Sequence, residues 1–88
     1  MKLKDGFVLE EVGGSYLAVA VGGGSESFSG LVRLNSTGAF LWNLMKDRDV
    51  SREELLEEVL KVYDVPSEVA YRDIVLFEQK LKDGGVLE

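Results

Sequence analysis

The sequence predicts an α+β fold in which a three-stranded antiparallel sheet is followed by three helices, in the order βββααα. Two observations predict it. From Phe7 to Leu34 the apolar residues fall in short runs broken by glycine-rich turns, the pattern of strands. From Asn35 onward they recur at intervals of three and four behind cap residues, the pattern of helices.

The first strand is Phe7-Val8-Leu9-Glu10-Glu11-Val12, and Gly13-Gly14 after it is a two-residue hairpin signal. Ser15-Tyr16-Leu17-Ala18-Val19-Ala20-Val21 forms the second strand. Its alternation places Leu17, Val19 and Val21 on one face and Tyr16, Ala18 and Ala20 on the other. The first set is bulkier and largely β-branched, so it is the expected core face. Gly22-Gly23-Gly24-Ser25-Glu26-Ser27 reads as a flexible loop and Gly30-Leu31-Val32-Arg33-Leu34 as the third strand. Short connections favour a meander, which leaves the third strand at an edge.

Asn35 can cap the first helix, which runs to about Lys46 and buries Ala39, Phe40, Leu41, Trp42 and Leu44. Ser51 with Glu54 has the form of a capping box, followed by Leu55, Leu56, Val59, Leu60 and Tyr63 at helical spacing. The third helix starts near Pro66, which suits a first helical position. Ala70, Ile74, Phe77 and Leu81 form one stripe; Val69, Asp73, Leu76 and Lys80 form a neighbouring, mixed one. Gly84 stands where a left-handed residue would end the helix, and Val86 and Leu87 are expected to fold back onto the core. This order is of the winged helix-turn-helix kind. The 88 residues make one domain, 1–88, with room for a modest core.

Composition excludes several functions. There is no His, so the commonest general base, the commonest metal ligand and the Ser-His-Asp triad are absent. There is no Cys, so there is neither a disulfide nor a thiolate metal site. The carboxylate pairs Glu10-Glu11, Glu53-Glu54 and Glu57-Glu58 are adjacent residues that point apart, so they read as solvated surface. Gly22-Gly23-Gly24 lacks the Gly-Lys-Ser/Thr that follows in a phosphate-binding loop and leads into a strand. Trp42 and Tyr63, at helical spacing among leucines, read as core. Neither a catalytic residue, a metal nor a cofactor is therefore expected. The net charge of −6, with bases scattered among acids, disfavours nucleic acid and anionic membrane surfaces. No apolar run has the ~18 residues a membrane helix needs, and the opening Met1–Gly6 has no signal-peptide core, so a cytoplasmic location is expected.

The third strand has two readings. It is either a strand that merely presents a sticky side, or an edge kept open so that a peptide can add a strand. Leu31, Val32 and Leu34 make it apolar and Arg33 is its only charge. The residues alone do not choose between the two.

The chain also resembles a known family. The segment Leu34–Leu44, with Asn-x-Thr-Gly-Ala-x-x-Trp at positions 35–42, carries most of the resemblance. It is supported by Gly6-Phe7-Val8-Leu9, Tyr63-Asp64-Val65, Asp73-Ile74 and the ending Leu81-Lys82-Asp83-Gly84-Gly85-Val86-Leu87. These are similar to the PqqD-like family, or RiPP recognition elements, which hold the leader of a ribosomally made precursor peptide while another enzyme modifies it. The resemblance implies a non-catalytic peptide-binding module whose leader pairs with the third strand and lies between it and the third helix. Carried over by position, the strand contacts are Leu31, Val32, Arg33 and Leu34. The helix contacts are drawn from Val69, Arg72, Asp73, Leu76, Phe77 and Lys80, some of which must face the core instead. The partner enzyme in this family is often a radical SAM maturase, or a lasso-peptide protease in other pathways. A winged-helix transcription regulator, or a regulatory subunit without a peptide ligand, is the alternative.

Overall fold

The computed structural model describes residues 1–20, 32–46 and 48–88. The glycine-rich segment at 22–27, and Val21, Gly30 and Leu31 of the expected strands, lie outside the described residues. The elements are β1 (Phe7–Val12), β2 (Ser15–Ala20), β3 (Val32–Leu34), α1 (Ser36–Met45), α2 (Arg52–Val62) and α3 (Ser67–Asp83). The sheet order is β1-β2-β3, antiparallel throughout, so β3 is an edge as expected. Among the described residues no helix is long and apolar enough to cross a membrane.

Gly13 and Gly14 close the first hairpin between paired Val12 and Ser15, and both take positive φ, 58° and 84°. That twist matches the strands and suits glycine. The register then decides the faces. Leu9, Ala18 and Val32 lie opposite one another, as do Tyr16 and Leu34, and these residues turn toward the helices. Ala18 is fully buried, whereas Leu17 and Val19 are only half-buried on the outer face. The expectation for β2 was therefore reversed. α1 lies across β2 and β3, and the small Ala18 at the centre of the middle strand lets Leu41 and Trp42 fill the layer. Bulk in a strand does not identify its inner face when the facing helix supplies the volume.

The three helix starts follow from local chemistry. Asn35 Oδ1 accepts from the Gly38 amide at 2.7 Å. Ser51 and Glu54 form the reciprocal capping box, with Glu54 N–H donating to Ser51 Oγ at 3.1 Å and Ser51 N–H donating to Glu54 Oε1 at 3.2 Å. That bond, with help from Arg48, holds the Glu54 carboxyl below its ordinary range. Pro66 is the cap itself and not the first helical residue: its backbone is extended, and its carbonyl accepts from Val69 and Ala70.

Ala70, Ile74, Phe77 and Leu81 are all buried, as their spacing predicts. Leu55 and Val59 of α2 meet this stripe, Leu56 and Tyr63 are partly buried, and Leu60 faces solvent. Trp42 is in the core, and Tyr63 packs its ring edge-on to Phe40 with centroids 5.6 Å apart.

The end of α3 corrects the assignment of the left-handed position. Gly84 is right-handed, with φ −82°, and Gly85 is left-handed, with φ 73°. Gly85 N–H donates to Lys82 O and Val86 N–H to Leu81 O, the paired bonds of a Schellman motif. What Gly84 supplies is clearance: a Cβ there would stand 2.5 Å from Cγ2 of Val32 in β3. The turn sends Val86 into the core and pairs Leu87 with Leu3.

Candidate functional site

β3 is described over Val32–Leu34 and pairs with β2. Val32 and Leu34 are buried beneath it, and Arg33 between them is exposed on the outer face. Immediately after Leu34 the chain turns into the first turn of α1. α3 runs past this corner, so strand end, helix start and α3 enclose a cavity of about 360 Å³. One wall is Leu34, Asn35, Thr37, Gly38 and Leu41; the other is Asp73, Leu76, Phe77 and Lys80.

The walls differ in character. Leu34, Leu41 and Phe77 are buried and form an apolar floor. Leu76 stands at the mouth with 61% of its surface exposed, the highest of the exposed large apolar side chains among the described residues. Asp73 and Lys80 flank it along α3. The Lys80 ammonium donates to the carbonyl of Arg33 at 2.7 Å and so ties α3 to the edge strand through its backbone. Gly38 keeps the α1 wall thin, since a Cβ there would meet Leu34 Cβ at 3.2 Å and Asn35 Oδ1 at 3.3 Å. A second cavity of about 50 Å³ adjoins the first and shares Thr37 and Asp73 with it.

The structure therefore brings together Leu34, Asp73, Leu76, Phe77 and Lys80 of the residues named from sequence. Val32 faces inward toward Gly84, and Arg33 joins the groove through its carbonyl. Val69 is half-buried and Arg72 exposed; neither lines the cavity, although Arg72 lies one helical turn from Leu76 on the same stripe. Leu31 lies outside the described residues. The α1 wall was missed. Its signal was the run of small and polar residues, Asn35 to Gly38, placed directly after an edge strand.

An antiparallel sheet whose β3 edge no other described strand pairs, an apolar groove between that edge and a helix, and a βββααα order define a small α+β domain of winged-helix type. The chain belongs to the PqqD family: the family model described as Coenzyme PQQ synthesis protein D (PqqD) matches residues 7–87. No curated protein sequence matches the chain significantly. Two solved structures share its fold. TbiB1 in complex with the TbiA(beta) leader peptide aligns with a TM-score of 0.75 at 20% identity, over 100% of this chain and 95% of that one. A lasso peptide synthetase B1 complexed with the leader peptide aligns with a TM-score of 0.70 at 20% identity, over 97% and 93% of the two chains.

Proposed function

We propose that this protein is a non-catalytic docking module that binds the leader of a ribosomally made precursor peptide by strand addition to β3 and presents it to a modifying enzyme. The observation that carries this reading is the apolar groove between α3 and the edge of β3, unpaired among the described residues, with Leu76 exposed at its mouth. Family membership supports it, as do two neighbours that hold leader peptides. Backbone bonds along β3 supply register, and side chains seated between β3 and α3 supply specificity. Holding the precursor raises its effective concentration at the partner's active site, and no bond is made by this chain. The reading extends to a cytoplasmic setting and a maturase partner. A role on duplex DNA is disfavoured because the exposed face of α3 mixes Arg72 and Lys80 with Asp73 and Leu76.

The test is a chemical-shift titration of the ¹⁵N-labelled protein with the leader of a candidate precursor peptide, such as one found in a neighbouring gene. Shifts are expected at Val32–Leu34 and along 69–80. A response confined to α2, around Leu55–Lys61, with β3 silent would reject strand addition. Arg33→Pro, which removes the backbone donor on the same edge as the Arg33 carbonyl, should weaken binding, with circular dichroism checking that the fold survives.

A further inference from the structure

Among the described residues, half of the cations in this acidic chain stand in ion pairs. Lys2, Arg48, Arg52, Lys61 and Lys82 each stand within 4 Å of a side-chain carboxylate. Arg33, Arg72 and Lys80 form no ion pair with any described residue, and all three are exposed: Lys80 on the groove wall, Arg72 on the same face of α3 about two turns before it, and Arg33 on the outer face of β3. On a chain of net charge −6, three positive charges without an ion pair among the described residues form a local reversal of sign near this edge.

Their spacing is specific. Arg72, Leu76 and Lys80 are separated by four residues each, which stacks them on one face of α3. At about 1.5 Å per residue they repeat every ~6 Å along the helix. Alternate residues of an extended strand also share a face, and at about 3.3 Å per residue they repeat every ~6.6 Å. A strand laid in the groove along the axis of α3 would thus offer residues i−2, i and i+2 to Arg72, Leu76 and Lys80, in either direction.

We infer that the groove selects a peptide with carboxylates two positions before and two positions after an apolar residue, in the pattern acid-x-apolar-x-acid. This rests on the docking reading above and names the ligand chemistry that reading leaves open. The apolar side chain enters between Leu76 and the floor of Leu34, Leu41 and Phe77. The carboxylates stay at the rim, one on Arg72 and one on Lys80, because Asp73 on the cavity wall repels an acid placed deeper. Lys80 exchanges the Arg33 carbonyl for the peptide carboxylate, which releases that carbonyl to accept from the added strand. Arg33, on the outer face, adds positive charge to the same edge.

Three short fluorescein-labelled peptides test this. They share a threonine-rich frame around one leucine and differ only two positions before and after it, carrying Glu, Gln or Lys. Anisotropy and amide shifts of the whole chain are followed for each. The Glu probe should bind on the order of tenfold tighter than the Lys probe, with Gln between, and the gap should close as salt rises. Arg72→Gln combined with Lys80→Gln should remove the ranking, while Leu76→Ala should weaken all three alike. Equal affinities, or a preference for Lys, with shifts still at β3 and α3 would overturn the inference and leave the docking reading standing. No binding by any probe, with β3 and α3 silent, would overturn both.

Discussion

Arg52 Nε donates to Oε1 of Glu78 at 2.6 Å, joining the first turn of α2 to a carboxylate that α3 has carried into the interior. Arg52 also reaches the Tyr71 hydroxyl, and Lys82 stands 3.5 Å from the other carboxylate oxygen. The Arg52 bond, against the opposing cost of burial, holds the Glu78 carboxyl below the ordinary glutamate value of 4.5. In the acid range the unfolded chain therefore binds more protons than the folded one, and stability falls as pH falls. The contribution is complete above about pH 5 and is lost as the pH drops through the depressed folded-state value. Thermal melts between neutral and acid pH should show this decline, and Glu78→Gln should flatten it. An unchanged slope in that variant would place the acid sensitivity elsewhere.

Gly84 and Gly85 are adjacent glycines needed for different reasons. Gly84→Ala should destabilise by about 1–3 kcal/mol through overpacking against Val32, although its φ suits any residue. Gly85→Ala meets open space and should cost about 1–2 kcal/mol through its left-handed backbone. A double-mutant cycle separates them: Val32→Ala should relieve the first penalty and leave the second intact.

Ser51→Ala should cost about 1 kcal/mol, read as a lower urea midpoint at unchanged slope, because Glu54 N–H loses its acceptor at the start of α2. Asn35→Ala should cost a similar amount and also loosen the α1 wall of the groove, since Oδ1 holds the Gly38 amide.

Two leucines of α3 should behave oppositely. Leu81 is fully buried, and Leu81→Ala should destabilise by about 2–5 kcal/mol. Leu76 lies at the mouth of the groove, so Leu76→Ala should change stability by no more than about 0.5 kcal/mol. It should weaken a leader peptide by about 1–2 kcal/mol, measured by calorimetry.

What the sequence made legible was local. Asn35, Ser51 and the Ala70–Ile74–Phe77–Leu81 stripe were readable because a cap bond spans three residues and a helical face repeats every turn. The inward face of β2 was not, because Ala18 is chosen by the distance to α1, which no local pattern records. The left-handed glycine was misplaced by one residue, since Gly84 and Gly85 are alike in sequence and only Val32, far away in the chain, distinguishes them. For the groove, the α3 wall followed from the family resemblance, which carried Asp73, Leu76, Phe77 and Lys80 over by position. The α1 wall, with Thr37 and Gly38, needed the corner after Leu34 to be folded before its residues could be seen to face α3.

The last turns of α3 touch β3 twice, through the Lys80–Arg33 bond and through the bare flank of Gly84 against Val32. Near Thr37 and Asp73, at the opposite end, no hydrogen bond among the described residues crosses the groove, and the small second cavity leaves slack behind it. The groove is thus tied by a polar bond at one end and, among the described residues, closed at the other only by side-chain packing, so polarity is distributed along its length as well as across its walls.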